Sequence, residues 1–496
     1  MQIFSIRRNS ILILIILPVF LNSCMVGPNF HSPRSPRVKQ YTEIPLPAKT
    51  AKTRGSGGKA QKFLTGKDIP LMWWELFHSP AINKLICAGL DNNPNLAAAT
   101  ASLRQAQENL RVEIGNSMWP AFDASGYAQR QRYSELQIGL PTQFSPTFNL
   151  FYASVNVAYT LDIFGGARRQ IESLRAQVDY QQFEVIAAYL TLTSNIVTTS
   201  INVASYQAQI EATYELIKAQ QGLLDILTKQ YHLGGVSNAN VLTQQTLLEQ
   251  TKATLPPLQK NLAQARHALS ALVGAFPEGP LPTINLDNLK LPENIPLSLP
   301  SRLVRQRPDI RASEALLHYA CAQIGVATAN LFPKLTINGS YGWINTALAG
   351  LFESRNVVWS IMGQVAQPLF HGGALLAQRR AAIAAFQQAE AQYRQTVIQA
   401  FQNVADVLRA LETDARTLKA QTLAEDSARR SLKLTQDQYR MGGVSYINLL
   451  NAQQQYQQTR INRIQAQAVR YSDTAALFQA LGGGWWHKPW CVKECV

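Results

Sequence analysis

Beyond residue 21 the 496-residue chain has no apolar run long enough to cross a bilayer as a helix, which excludes a bundle of membrane helices. Charge is scarce too: Asp, Glu, Lys and Arg make up 16 % of the residues, and acids are the fewer, 31 against 46 bases. The formal +15 is scattered through helical pattern, without an aromatic-interleaved basic cluster or a recognised binding module. That excludes nucleic acid and leaves attraction to anionic lipid headgroups as a use for the charge. The seven His are scattered, so no metal-ligand pair is present, and no nucleophile elbow occurs. Gly55-Ser56-Gly57-Gly58-Lys59 has neither the spacing of a phosphate loop nor a Ser or Thr after the Lys. The chain reads as no enzyme, with no cofactor and no metal. Of five Cys, Cys87 and Cys321 sit in helical pattern as small buried apolar residues. Cys491 and Cys495, without His partners, make no metal signal.

What is present begins with an export signal. Arg7 and Arg8 precede an apolar run from Ile11 to Leu21, the proportions of a signal peptide over residues 1–23. Leu21-Asn22-Ser23-Cys24 resembles a bacterial lipobox, although Asn22 stands where small residues are commoner, so Cys24 is the expected lipidated N-terminus. A generic leader with an incidental Cys is the other reading. Met25 follows, not the Asp that argues for retention in the inner membrane. Residues 24–70, rich in Pro, Gly and Lys, read as a lipidated, extended or flexible lead-in.

The rest is one module written twice. Tyr231-His232-Leu233-Gly234-Gly235-Val236-Ser237 returns 208 positions later as Tyr439-Arg440-Met441-Gly442-Gly443-Val444-Ser445. At the same offset Leu242 meets Leu450, Thr251 meets Thr459 and Gly274 meets Gly482. A Gly pair ending one helix, with Ser at the N-cap of the next, is the chemistry of a tight helix reversal.

Module one spans 71–274. Helical pattern over 80–90 and 94–117, punctuated at Asn93-Pro94, gives way to period-two alternation at about 120–130 and 150–162. Each alternating stretch has about the length a tilted strand needs to cross a bilayer. A long helix follows at 166–232, with Ile171, Val178, Val185 and Leu192 seven apart, then Val203, Ile210, Ile217 and Leu224 after a step of eleven. At 1.5 Å per residue that helix is about 100 Å long. A return helix occupies 236–273, broken or bent at Pro256-Pro257. Residues 275–300, with six Pro, form a linker. Module two, 301–484, repeats the plan with strands at about 334–344 and 357–367, a long helix at 373–440 and a return helix at 444–481. Val397, Val404, Leu411 and Leu418 continue the heptads. The Trp-rich tail 485–496 has no assignment.

Four membrane-length strands cannot close a barrel, since the smallest bacterial barrels have eight. An open edge in lipid leaves backbone groups unsatisfied. Other copies must complete the strands, two giving eight and three giving twelve. The fold class is therefore mainly α with membrane β, assembled as an oligomeric tube.

The motifs Cys24-Met25-Val26-Gly27-Pro28-Asn29-Phe30, Trp73-Trp74, Arg307-Pro308-Asp309-Ile310, Leu331-Phe332-Pro333, Pro368-Leu369-Phe370-His371-Gly372-Gly373 and Leu481-Gly482-Gly483-Gly484-Trp485 occur in this order. By them the whole mature chain resembles a TolC-type outer membrane factor of the efflux lipoprotein branch, the NodT-like family. The resemblance implies a lipid-anchored homotrimer in the outer membrane. Its twelve-stranded β-barrel is continued by an α-helical barrel that crosses the periplasm to an adaptor (membrane fusion) protein and an inner-membrane efflux pump. It also implies that Gly234, Gly235, Val236, Ser237, Gly442, Gly443, Val444 and Ser445 form the adaptor-docking tip. The family often has an apolar residue and, four on, an Asp that constrict the closed pore. Here Ile447 and Asn451 stand there, with Ala239 and Thr243 offered by module one, and Asn451 departs from the acidic pattern. Ordinary helix packing is the other reading of that pair. The expected function is a passive exit duct for drugs or other toxic small molecules; export of proteins by type I secretion is the alternative. A coiled-coil scaffold without a pore leaves the strand pairs unexplained.

Overall fold

The computed structural model describes residues 25–38, 40–132, 134 and 146–487. Cys24, the leader before it and the tail Cys pair lie outside the described residues. Cys87 and Cys321 are free, the first half-buried and the second buried.

In chain order the elements are β1 (Lys62–Thr65), α1 (Pro80–Asn92), α2 (Pro94–Met118), β2 (Ala121–Arg132), β3 (Thr147–Leu161), α3 (Gly166–His232), α4 (Asn238–Leu272), β4 (Asn294–Leu297), α5 (Pro300–Gln306), α6 (Pro308–Ala329), β5 (Lys334–Asn345), β6 (Val357–Ala366), α7 (Ala374–Arg440) and α8 (Tyr446–Ala480). The two equivalent helix starts are built differently. Asn93 accepts the amides of Asn95 and Leu96 at 2.9 and 3.2 Å, opening α2 ahead of Pro94. At the equivalent place Arg307 forks onto Asp309 at 3.0 and 2.6 Å, while donating to Ala480 O at 2.8 Å.

The chain divides into two compact units. One, built from residues 1–33, 102–181 and 313–393, contains a four-stranded antiparallel sheet in the order β2-β3-β5-β6. The two hairpins, one per module, join side by side through β3 and β5, with Val157 opposite Gly339. In this unit Arg169, 1 % exposed, gathers the start of the described chain: it donates to Val26 O at 3.1 Å, Gly27 O at 3.2 Å and Asn29 Oδ1 at 2.8 Å.

The second unit, residues 34–101, 182–312 and 394–496, is helical around an aromatic core in which Trp73 stacks on Phe478 at 5.3 Å. The heptad positions Leu192, Val203, Val397, Val404, Leu411 and Leu418 are buried. Val178, Ile210, Ile217 and Leu224 are only half-covered within one chain.

The structure sharpens three expectations. The lead-in is extended but held: β1 pairs in parallel with β4, and buried Arg470 donates to Gly57 O at 2.7 Å, Lys59 O at 2.9 Å and Thr50 Oγ1 at 3.0 Å. Residues 275–300 are likewise more than a linker, because Ile284, Leu286, Leu289, Leu291, Ile295 and Leu297 are buried. Finally, of the break or bend expected at Pro256-Pro257 the break does not occur, since α4 runs on through both. Both prolines are exposed, on the side of the helix where carbonyls that lose their N–H partners can turn to solvent.

Candidate functional site: a two-faced sheet and paired helix turns

The register sorts the sheet into two chemically distinct faces. Phe122, Val157, Gly339 and Ile361 stand in one row, then Ala124, Val155, Tyr341 and Trp359 in the next on the same face. On the other face Asp123, Asn156, Ser340 and Ser360 align. Ser125 and Ser154, 3.0 Å apart, share Asn156 as a partner there. The apolar face is open in a single chain, with Trp359 69 % and Ile361 76 % exposed. Among the described residues β2 and β6 each have one neighbour, so the sheet ends on two unpaired edges. A surface that is apolar outside, polar inside and incomplete at both edges is a segment of a barrel wall in lipid. Among the described residues no helix is long and apolar enough to cross a membrane.

The two repeated turns have the same backbone. Gly235 N–H donates to Gln230 O at 2.8 Å and Gly234 N–H to Tyr231 O at 3.0 Å, a Schellman closure of α3. Gly443 to Gln438 O at 2.8 Å and Gly442 to Tyr439 O at 3.0 Å repeat it at the end of α7. Gly234 and Gly442 take φ of +74° and +76°. The second glycines do not: a Cβ on Gly443 would meet Gln438 O at 3.5 Å, an ordinary contact. The pair is therefore not uniformly demanded by backbone strain. Gly442→Ala is expected to cost about 1 kcal/mol and Gly443→Ala much less, which thermal denaturation of the two variants compares directly. Ser237 and Ser445 occupy the N-cap positions of α4 and α8 as expected, but neither hydroxyl makes a capping bond. Their place is set by backbone conformation alone.

The turns meet in one cluster. Buried Leu227, Leu247, Tyr446 and Leu450 pack together, with Leu223, Val236, Val241 and Tyr439 against them. The Tyr446 hydroxyl donates to Gln244 Oε1, and Gln244 Nε2 to Gln220 O at 3.0 Å. Burial raises the Tyr446 phenol above its ordinary value. This polar tie between the two hairpins was not legible in the sequence, where Tyr446 reads as the second residue past a turn. Val236 belongs to the cluster, whereas Val444 is half-buried beside it. Ile447, 53 % exposed, and Asn451, also exposed, share the face of α8 turned away from buried Leu449, Leu450 and Gln453. Nothing in a single chain covers them. Among the described residues no group of three or more His, Cys, Asp or Glu could hold a metal ion.

The family model for outer membrane efflux proteins matches residues 85–275 and 299–483, one segment per module. Nodulation protein T of Rhizobium leguminosarum bv. viciae is 28 % identical over 476 residues, 95 % of this chain and 92 % of that protein. The solvent efflux pump outer membrane protein SrpC of Pseudomonas putida is 28 % identical over 482 residues, 95 % of this chain and 98 % of that one. Among solved structures, that of the outer-membrane channel OprN superposes with a TM-score of 0.82 at 25 % identity, covering 93 % of this chain and all of the other.

Proposed function

The chain belongs to the outer membrane efflux protein family, and from that premise we propose that three copies form the outer-membrane exit duct of a tripartite efflux system. The observation that carries the reading is the four-stranded sheet with one apolar face, one polar face and two unpaired edges. Three such sheets joined β2 to β6 make a twelve-stranded barrel with every backbone group paired, the condition lipid imposes. The helical hairpins continue the duct into the periplasm. Their glycine turns dock an adaptor protein, which couples the duct to an inner-membrane pump, and Ile447 and Asn451 line its narrowest point when closed. Asn in place of an acid leaves that ring without fixed negative charge. We read the cargo as small toxic compounds; the relative SrpC is by its name part of a solvent efflux pump.

Expression in a strain lacking its own outer-membrane efflux channel, together with a matched adaptor and pump, is expected to restore resistance to apolar toxic compounds. The purified protein alone should give stepwise conductance in planar bilayers. Failure of correctly inserted protein to restore resistance alongside the adaptor and pump removes the duct reading.

Cys24 is the proposed lipid attachment point. In support, Val26 N–H donates to Phe164 O at 3.1 Å, and Met25 lies against Gly165, a few residues past the end of β3. The residue after Cys24 is thus tied beside the end of a membrane strand. Cys24→Ser should abolish labelling by radioactive fatty acid; a Ser variant that still labels refutes the assignment.

A further inference from the structure

The loop that looked superficially like a phosphate loop forms one wall of a charged groove in the helical unit. Thr53 N–H donates to Gly58 O at 2.9 Å and Gly58 N–H to Gly55 O at 3.2 Å, closing a tight reversal. Arg470 holds it from beneath through Gly57 O and Lys59 O, and Ser56 Oγ donates to Asp287 O at 3.0 Å. Facing it are α7 and α8. The groove between them encloses about 730 Å³ and is lined by Lys52, Arg54, Lys419, Arg429, Arg430 and Arg463 against only two acids, Glu425 and Asp426.

Both acids are already engaged, Glu425 with Arg463 at 2.5 Å and Asp426 with Arg430 at 2.7 Å and with Arg429. Arg54 and Lys419 are exposed and have no ion-pair partner among the described residues. On α7, Lys419, Leu423, Asp426 and Arg430 follow one another at helical spacing, a stripe about 16 Å long. Leu423 is 58 % exposed within it.

We propose that this groove docks an acidic, partly apolar segment of a partner protein, at a site separate from the helix turns. Charge complementarity calls for carboxylates, which arginine forks bind in pairs. A uniform polyanion fits less well, because Leu423 gains nothing from it. A peptide segment that interleaves carboxylates with an aliphatic side chain uses both features. The preformed loop lowers the ordering cost of docking. The claim stands apart from the duct reading, since binding is read directly.

The test is fluorescence anisotropy on the full-length protein in detergent, with two fluorescein-labelled probes of equal length: an amphipathic peptide of Glu and Leu, and poly-glutamate. The Glu/Leu peptide is expected to bind more tightly than poly-glutamate, and to weaken as salt shortens the Debye length from about 10 Å at 0.1 M. Arg54→Glu with Lys419→Glu should reduce its affinity at least about tenfold. Leu423→Ser, which changes no charge, should weaken the Glu/Leu peptide and leave poly-glutamate unchanged. Equal affinity for both probes means a site for anions of any kind and overturns the proposal. Unchanged binding in the charge-reversed or Leu423 variant overturns it as well.

Discussion

Val444→Asp is expected to abolish efflux and cross-linking to the adaptor while leaving the assembled, inserted protein intact. Val444 is half-buried at the second turn and lies outside the Leu227–Tyr446 cluster, so its loss removes little packing from the hairpin ends. The new carboxylate precedes Ser445, at the N-cap of α8, where the positive end of the helix dipole tolerates negative charge. Folding therefore proceeds. Docking does not, because an unpaired charge pressed into an interface costs about 2–5 kcal/mol, roughly 30-fold or more in affinity. Yield of assembled protein and adaptor cross-linking are measured on the same preparation. If the turns serve folding only, both fall together; if assembly and cross-linking both persist, the docking role is lost.

The largest effect on stability is expected at Arg470, fully buried in the helical unit. Its guanidinium holds the 50–59 loop through three hydrogen bonds and faces the carboxylate of Asp414. Arg470→Met removes those three bonds, at about 1–3 kcal/mol for each buried acceptor left without a partner. Thermal unfolding should show it, and proteases specific for Lys and Arg should then cut at the loop.

A pH dependence follows at the same place. Burial and the neighbouring Asp473 push the Asp414 carboxyl from 3.8 up to about 7, against the pull of Arg470. A pKa higher folded than unfolded means that the native state holds the extra proton between these values. The contribution is therefore favourable below about pH 4 and is lost as pH rises to about 7. Asp473→Asn should flatten stability across that window, and an unchanged profile would exclude the pair as its source.

What the sequence made legible was what is local and periodic. The heptads of Val397, Val404, Leu411 and Leu418 are a repeated demand for burial, and those positions are buried. The alternation in β5 and β6 located a membrane face because period two admits one reading. Less was visible wherever a contact joins residues far apart in the chain. The four-residue pairing of β1 with β4 has too little pattern to stand out among prolines. Arg470 stands among the Lys and Arg scattered through helical pattern. Its spacing from Gln467, Tyr471 and Thr474, all buried, puts it on the inward stripe, and that was the available signal. At the turns the repeated Gly pair was legible, but which glycine carries the positive φ is decided by the Schellman bonds. The exposed Ile447–Asn451 face shows what sequence and a single chain share: neither contains the neighbour that would cover it.

Whether the sheet is one third of a barrel is the question on which the account rests. Native mass measurement of the detergent-solubilised full-length protein answers it most directly. The account predicts a single species of three chains that survives dilution, because β2 and β6 find their missing partners only across subunits. A stable monomer, with its sheet edges unpaired in detergent, would contradict it.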